Sequence, residues 1–154
     1  MSRMELDEIA KKTEPDASVL GLDVGSKTIG IAAGNRLTRT ASPITTINRK
    51  KFMQDIDALT KLVKEYGASF LVIGYPLNMD GTEGPRCQSI RDFAIEMEKH
   101  GLSMPYLLWD ERLSTASVDR FWDSSVDKKK AKEKGLTDAY AAQIILSHAL
   151  ESMA

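Results

Sequence analysis

Leu20-Gly21-Leu22-Asp23-Val24-Gly25-Ser26-Lys27-Thr28-Ile29-Gly30-Ile31-Ala32 is the stretch that decides how the rest of the chain is read. Two short apolar runs rich in β-branched residues flank a tight glycine-containing segment, which predicts a strand, a turn and a second strand. Asp23 interrupts the first run where it should be entering a core, and an ionised carboxylate there is costly unless a cation or several donors meet it. Gly21 and Gly25 leave room for another backbone or a ligand to come close. An isolated Asp-x-Gly would only cap the turn by accepting backbone hydrogen bonds. The length of this motif, and two further acids at comparable element ends, weigh toward function.

The chain has 154 residues, enough for one domain with a proper core and too few for two substantial ones. At 42% hydrophobic and 28% charged it has the balance of an ordinary globular protein. No apolar run approaches the roughly 20 residues of a membrane span, and the N-terminus lacks a charged-then-apolar leader. The expected location is therefore cytoplasmic, with no membrane partner. Cys87 is the only cysteine, which excludes intramolecular disulfides and Cys-rich zinc sites. His100 and His148 leave little material for a His-based metal site or a Ser-His-Asp triad, and no G-x-S-x-G occurs. Any enzymatic chemistry falls to carboxylates.

The net charge of −1 does not mark a general nucleic-acid binder, but the charge is unevenly spread. Arg36, Arg39, Arg49, Lys50 and Lys51 occupy a stretch without an acid, and Lys128 to Lys134 carries five lysines against Glu133. Such blocks are commonly solvated faces. They also suit local phosphate contacts, since counterion release depends on the contacts made rather than on total charge.

In chain order, residues 2–12 predict a short helix with a Ser2/Glu5 capping box, an N-terminal extension (1–17) that reads as dispensable beside a main domain of 18–154. The strand pair of 18–33 and a third extended segment around 37–47, with Pro43 favouring an edge position, form a three-stranded meander. Phe52, Ile56, Leu59, Val63 and Tyr66 recur at helical spacing before Gly67. Phe70 to Gly74 is a continuous apolar run, as in a strand buried on both faces. A loop from Tyr75 to Pro85 follows, in which Asn78, Thr82 and several backbone N–H groups suit a phosphate contact. Cys87, Ile90, Phe93, Ala94 and Met97 line one face of a helix over 86–100, and 105–109 is a short strand ending in Asp110-Glu111-Arg112. Helices over 114–122 and 137–151 bracket the Lys-rich segment, which reads as mobile, and Thr137 caps the last helix.

This order predicts an α/β fold with a mixed sheet, antiparallel on one side and parallel on the other, and helices on both faces. Ligands of such sheets sit beyond the carboxyl ends of the strands. Asp23 near the end of the first strand, Glu111 past the end of the last and Asp138 opening the final helix would converge there. Asp138 could instead only complement the helix dipole, Glu111 could pair with Arg112, and of Asp110 and Glu111 only one enters a site if the strand continues.

Gly21-x-Asp23-x-Gly25-x-x-x-x-Gly30, Gly74-Tyr75-Pro76-Leu77-Asn78-Met79-Asp80-Gly81-Thr82-Glu83-Gly84, Asp110-Glu111-Arg112-Leu113-Ser114-Thr115 and Asp138-Ala139-Tyr140-Ala141-Ala142 together resemble the YqgF/RuvX family over about residues 18–150. That family is described as candidate Holliday junction resolvases or as candidate nucleases for the 5′ end of pre-16S rRNA, with an RNase H-like fold. Tyr75 departs from the small aliphatic residue expected there and could stack on a base. The resemblance implies a hydrolase in ribosome biogenesis whose catalytic acids and ligands for Mg²⁺ or Mn²⁺ are Asp23, Glu111 and Asp138, with Lys27, Asn78 and Arg112 as phosphate-positioning candidates. Three acids are few for two metal ions, so substrate could recruit one. The implied partner is nucleic acid, pre-rRNA before branched DNA, and the chain would act as a monomer or homodimer. Two other classes compete: a nucleic-acid-binding assembly or transcription factor without turnover, and an ATP-binding phosphotransferase, whose actin-like fold needs two such domains.

Overall fold

A computed structural model describes residues 3–111 and 137–153. Arg112, the predicted helix at 114–122, the Lys-rich segment 128–134 and Ser2 lie outside the described residues. The elements are α1 (Leu6–Lys12), β1 (Ser18–Val24), β2 (Thr28–Asn35), β3 (Thr40–Asn48), α2 (Phe52–Tyr66), β4 (Ala68–Tyr75), α3 (Pro85–Lys99), β5 (Tyr106–Asp110) and α4 (Thr137–Ser152). The sheet order is β3-β2-β1-β4-β5. β1, β2 and β3 pair antiparallel, while β4 joins β1, and β5 joins β4, in parallel. No helix among the described residues is long and apolar enough to cross a membrane.

Alternation along the strands assigns the two faces. Leu20, Leu22 and Val24 of β1 pack with Leu71 and Ile73 of β4 against Ile56 and Leu59 of α2 and Ile90, Phe93 and Met97 of α3. Val19, Phe70, Val72 and Leu107 turn the other way, toward Ile145, Leu146 and Ala149 of α4 and Ile9 of α1. β4 is central and covered on both sides, which is why its sequence is continuously apolar. Pro43 stands on edge strand β3, where its missing N–H costs no ladder bond. The register slips beside it: Ile31 faces Thr45 and Ala32 faces Pro43, so Ile44 is the extra residue of a bulge. Gly67 ends α2 at φ 61°, as a left-handed cap residue does.

The N-terminal helix differs from expectation. It begins at Leu6, and the backbone N–H of Glu5 donates to Glu8 Oε1 at 3.3 Å, so the capping pair sits three residues on from Ser2 and Glu5. Nor is the segment a loose appendage. The N–H of Met4 donates to the Tyr106 carbonyl at 2.8 Å, Ile9 is fully buried, and Arg36 Nη1 lies 3.2 Å from the Ala10 carbonyl and 3.0 Å from that of Thr13. A cation on the last carbonyls of a helix offsets its negative end. The weak apolar side of α1 concealed this: Ile9 is its one fully buried residue, with Leu6 and Met4 packed partly buried beside it. Ile9→Ala is expected to lower stability by about 2–4 kcal/mol, read from urea denaturation midpoints. A loss below about 0.5 kcal/mol would restore the extension as dispensable.

Candidate nucleic-acid-processing site

The carboxyl ends of β1, β4 and β5, the start of β2 and the first turn of α4 meet at one edge of the sheet. Asp23 lies on β1 in phase with Val19 and Gly21, on the α4 face. Its cross-strand partner is Gly30. A Cβ placed on Gly30 would stand 2.0 Å from the Asp138 carbonyl oxygen, so only a residue without a side chain lets the start of α4 rest on β2 at this point. Thr28 completes the seat, its hydroxyl donating to Asp138 Oδ2 at 2.6 Å. Asp138 is thus more than a complement to the helix dipole.

Glu111 follows the last residue of β5, and its side chain reaches back over β4. A Cβ on Gly74 would lie 3.1 Å from Glu111 Cδ and 2.7 Å from Ile145 Cδ1, so Gly74 forms a shallow bed shared by the acid and α4. Because Glu111 has left the strand, the alternation that would have separated it from Asp110 no longer applies, and Asp110 still adds to the negative field at Glu111.

Electrostatics tie these groups together. Burial pushes the Asp23 carboxyl above its ordinary range; the Arg86 guanidinium opposes this and the Asp138 charge adds to it. Burial is also the main cause at Glu111, followed by the Asp23 charge, and together they push it up to about 7 against the pull of Arg86. Asp23 is therefore the shared member of the group, raised by the charge of Asp138 and itself raising Glu111. Among the described residues, no three His, Cys, Asp or Glu side chains close into a ready-made metal cage. The edge is an open set of oxygen donors.

The phosphate-positioning candidates fare differently. Lys27 is exposed in the β1–β2 turn at this edge. Asn78 is occupied within its own loop: its Nδ2 donates to Thr82 Oγ1 at 3.0 Å. The loop amides are used internally as well, Asn78 N–H to the Thr82 carbonyl at 2.9 Å, Gly81 N–H to the Asn78 carbonyl at 2.8 Å and Thr82 N–H to Asp80 Oδ1 at 3.0 Å. These three amides therefore point into the loop rather than toward an anion. Tyr75 offers no face to a base: it is 4% exposed, and its hydroxyl donates to Glu83, which also pairs with Arg91. That contact draws Glu83 below the usual carboxylate range, while burial leads in raising the Tyr75 phenol to about 12.

The basic stretch 36–51 is divided by β3. Arg36 and Arg39 lie at the end of the β2–β3 hairpin remote from Asp23, and Arg36 serves α1. Arg49, Lys50 and Lys51 return to the site end after β3. The residue that sequence reasoning passed over is Arg86, in the first turn of α3, the cation felt by both Asp23 and Glu111. Its signal was the Gly84-Pro85 helix start, which places the next side chains at the sheet's carboxyl edge.

The raised pKa of Glu111 sets a pH dependence in the metal-free protein. Between the unfolded carboxyl's ordinary value of 4.5 and about 7, the folded state holds a proton that the unfolded state has lost. Stability therefore falls as pH rises through that window and levels off above it. Glu111→Gln, which carries no charge to bury, is expected to melt above wild type at pH 8, by on the order of 2 kcal/mol, and to match it at pH 4. Calorimetric melting from pH 4 to 9 checks this; a wild-type curve that rises from pH 5 to 7 would contradict it.

Residues 17–152 match the RuvX family, described as Holliday junction resolvase. A protein of Rhodospirillum rubrum named "Putative pre-16S rRNA nuclease" is 43% identical over 148 residues, covering 96% of this chain and 91% of its own length. One of the same name from Phenylobacterium zucineum is 40% identical, covering 99% and 98%. Among solved structures, Thermus thermophilus RuvC in complex with a Holliday junction substrate superposes with a TM-score of 0.52 at 12% identity, over 88% of this chain and 94% of that one. The fowlpox virus Holliday junction resolvase gives 0.52 at 14%, over 89% and 99%. At such identities these two share the fold, an RNase H-like mixed sheet. On its near-full-length match and its relatives, the chain belongs to the RuvX (YqgF) family.

Proposed function

We propose that this protein is a nuclease that hydrolyses a phosphodiester bond at the edge formed by Asp23, Glu111 and Asp138, with the 5′ end of pre-16S rRNA as substrate and Mg²⁺ or Mn²⁺ as cofactor. The observation that carries the reading is the geometry of the carboxyl edge: Asp23 is paired with Gly30, on which the start of α4 seats Asp138, and Glu111 lies over Gly74 of the neighbouring strand. Buried carboxylates that repel one another are costly without a cation, and these offer only hard oxygen donors. An open arrangement suits Mg²⁺, which keeps several waters and is bound by one or two carboxylates together with substrate phosphate. When bound, the cation supplies a water of lowered pKa and neutralises charge on the leaving oxygen.

The chain's own residues do the rest. Asp23 provides the central carboxylate, and Thr28 fixes the rotamer of Asp138 through its hydroxyl. Glu111 reaches over Gly74 from the opposite side. Arg86 adds a positive charge facing the acids, where a non-bridging phosphate oxygen would accept its N–H groups. Names of relatives at 40–43% identity support pre-rRNA, while the family description keeps branched DNA as the second substrate to be tried.

Labelled pre-16S 5′ fragments and four-way junctions, incubated with and without Mn²⁺, test this reading. Wild type is expected to cut the rRNA fragment only with metal. Asp23→Asn and Glu111→Gln should each lose roughly a hundredfold or more in rate while melting no lower than wild type without metal. Variants that melt lower yet cleave normally per folded molecule would leave the acids an architectural role and move the chemistry elsewhere, and a wild type that cuts neither substrate with metal would leave a binding module.

A further inference from the structure

A groove of about 700 Å³ opens at the end of β1, between the β1–β2 turn and α3 on the α2–α3 side of the sheet, and Arg86, the cation felt by Asp23 and Glu111, is part of its wall. It lies within the range of volumes, about 300–1,000 Å³, that hold single small-molecule-sized groups. Its walls are chemically graded. Arg86, Lys50 and the Gly25-Ser26 turn line it along with Phe52, and Asp92 and Glu96 follow further along α3.

Arg49 also lines the groove but is committed to holding it. Its Nη1 donates to the Gly25 carbonyl at 2.7 Å, its Nε lies 3.5 Å from Asp55 Oδ2, and its guanidinium sits 5.4 Å from the Phe93 ring centre. Lys50 and Arg86 are exposed and stand at the mouth. Phe52 is half-buried and held by two rings, in a T-shaped contact with Phe93 at 5.5 Å and tilted against His100 at 5.6 Å. An aromatic ring and two exposed cations lining one groove are the groups that receive a base and its phosphate from a single strand. The carboxylates of Asp92 and Glu96 repel a phosphate from the far end, which fixes the polarity of whatever enters.

Resting on the nuclease reading above, we propose that this groove binds one unpaired nucleotide next to the scissile phosphate, its phosphate on Arg86 and Lys50 and its base against Phe52. The substrate at this position is then a single strand. A paired nucleotide enters only after flipping out, at a cost of a few kcal/mol.

Fluorescence anisotropy in Ca²⁺ buffer tests the proposal, with a labelled oligoribonucleotide of the pre-16S 5′ sequence, the same strand in a full duplex, and the strand with an abasic residue beside the cut. The single strand should bind at least roughly tenfold tighter than the duplex. Phe52→Leu should weaken it roughly 5- to 150-fold, the span of one base–aromatic stack, Phe52→Tyr should retain binding, and Lys50→Ala should reduce the logarithmic salt slope by about one unit. The abasic strand should lose as much on wild-type protein as the intact strand loses on Phe52→Leu, a readout independent of how that variant folds. Equal affinity for intact and abasic strands, or preference for the duplex, would overturn the proposal. Binding is read apart from cleavage: base-dependent affinity without Mn²⁺-dependent cutting would keep the groove and remove the nuclease, and cutting that ignores the abasic residue would do the reverse.

Discussion

Helix α4 rests on the sheet at backbone distance, and the rest of the site depends on that seat. Side chains normally hold a helix off a sheet; here glycines remove them. A Cβ on Gly21 would stand 2.7 Å from Leu146 Cβ, one on Gly30 would meet the Asp138 carbonyl oxygen, and one on Gly34 would lie 3.0 Å from Leu150 Cδ1. Gly21 and Gly34 serve the body of the helix and Gly30 its first turn. Leu146, Ala149 and Leu150 then fill the space that the glycines leave. The same contact that completes one half of the core brings Asp138 down onto the row occupied by Asp23 and Gly30.

Burial and charge are set against each other at this edge. Asp23 and Glu111 are raised by burial and by neighbouring carboxylates, and among the described residues Arg86 pulls the other way. Folding alone would favour neutral residues there, so the acids are held in place by packing that is stable for other reasons: the continuous apolar β4 with helices on both faces. This is the pattern expected of a functional site, where a local rule fails while the surrounding fold obeys it. The loop after β4 follows the rules instead. Its polar groups satisfy one another, and Tyr75, Glu83 and Arg91 fasten it to α3, whose first turn carries Arg86.

Most of the architecture was legible because it rests on periodicity. The alternation of β1, the unbroken apolar run of β4, the spacing of α2 and α3 and the stops at Gly67 and Gly101 each report a local constraint. Asp23 was legible as a carboxylate in the wrong place. What sequence could not convey was tertiary. Ile9 docks a helix with almost no amphipathic signature, Arg36 and Arg49 from one basic stretch end at opposite ends of β3, and Tyr75 turns inward to Glu83. Arg86 is one arginine in a helix start until the fold sets it beside two acids. Glu111 reaches the site because it lies just beyond the strand, a boundary that no propensity fixes to the residue.

Convergence of the acids on one cation is the central claim, and paramagnetic broadening tests it most directly. Mn²⁺ titrated at substoichiometric amounts into ¹⁵N-labelled protein broadens amides near its binding site. Val24, Tyr75, Glu111 and Ala139, which come from β1, β4, the end of β5 and α4, should fade together. Ala17 and Arg36, joined by a hydrogen bond of 3.0 Å at the far end of strands roughly 25 Å long, should stay sharp. Asp23→Asn should abolish the effect at all four positions. Broadening confined to one of those elements, or centred on the exposed acids of α3, or unchanged in Asp23→Asn, would contradict a shared site.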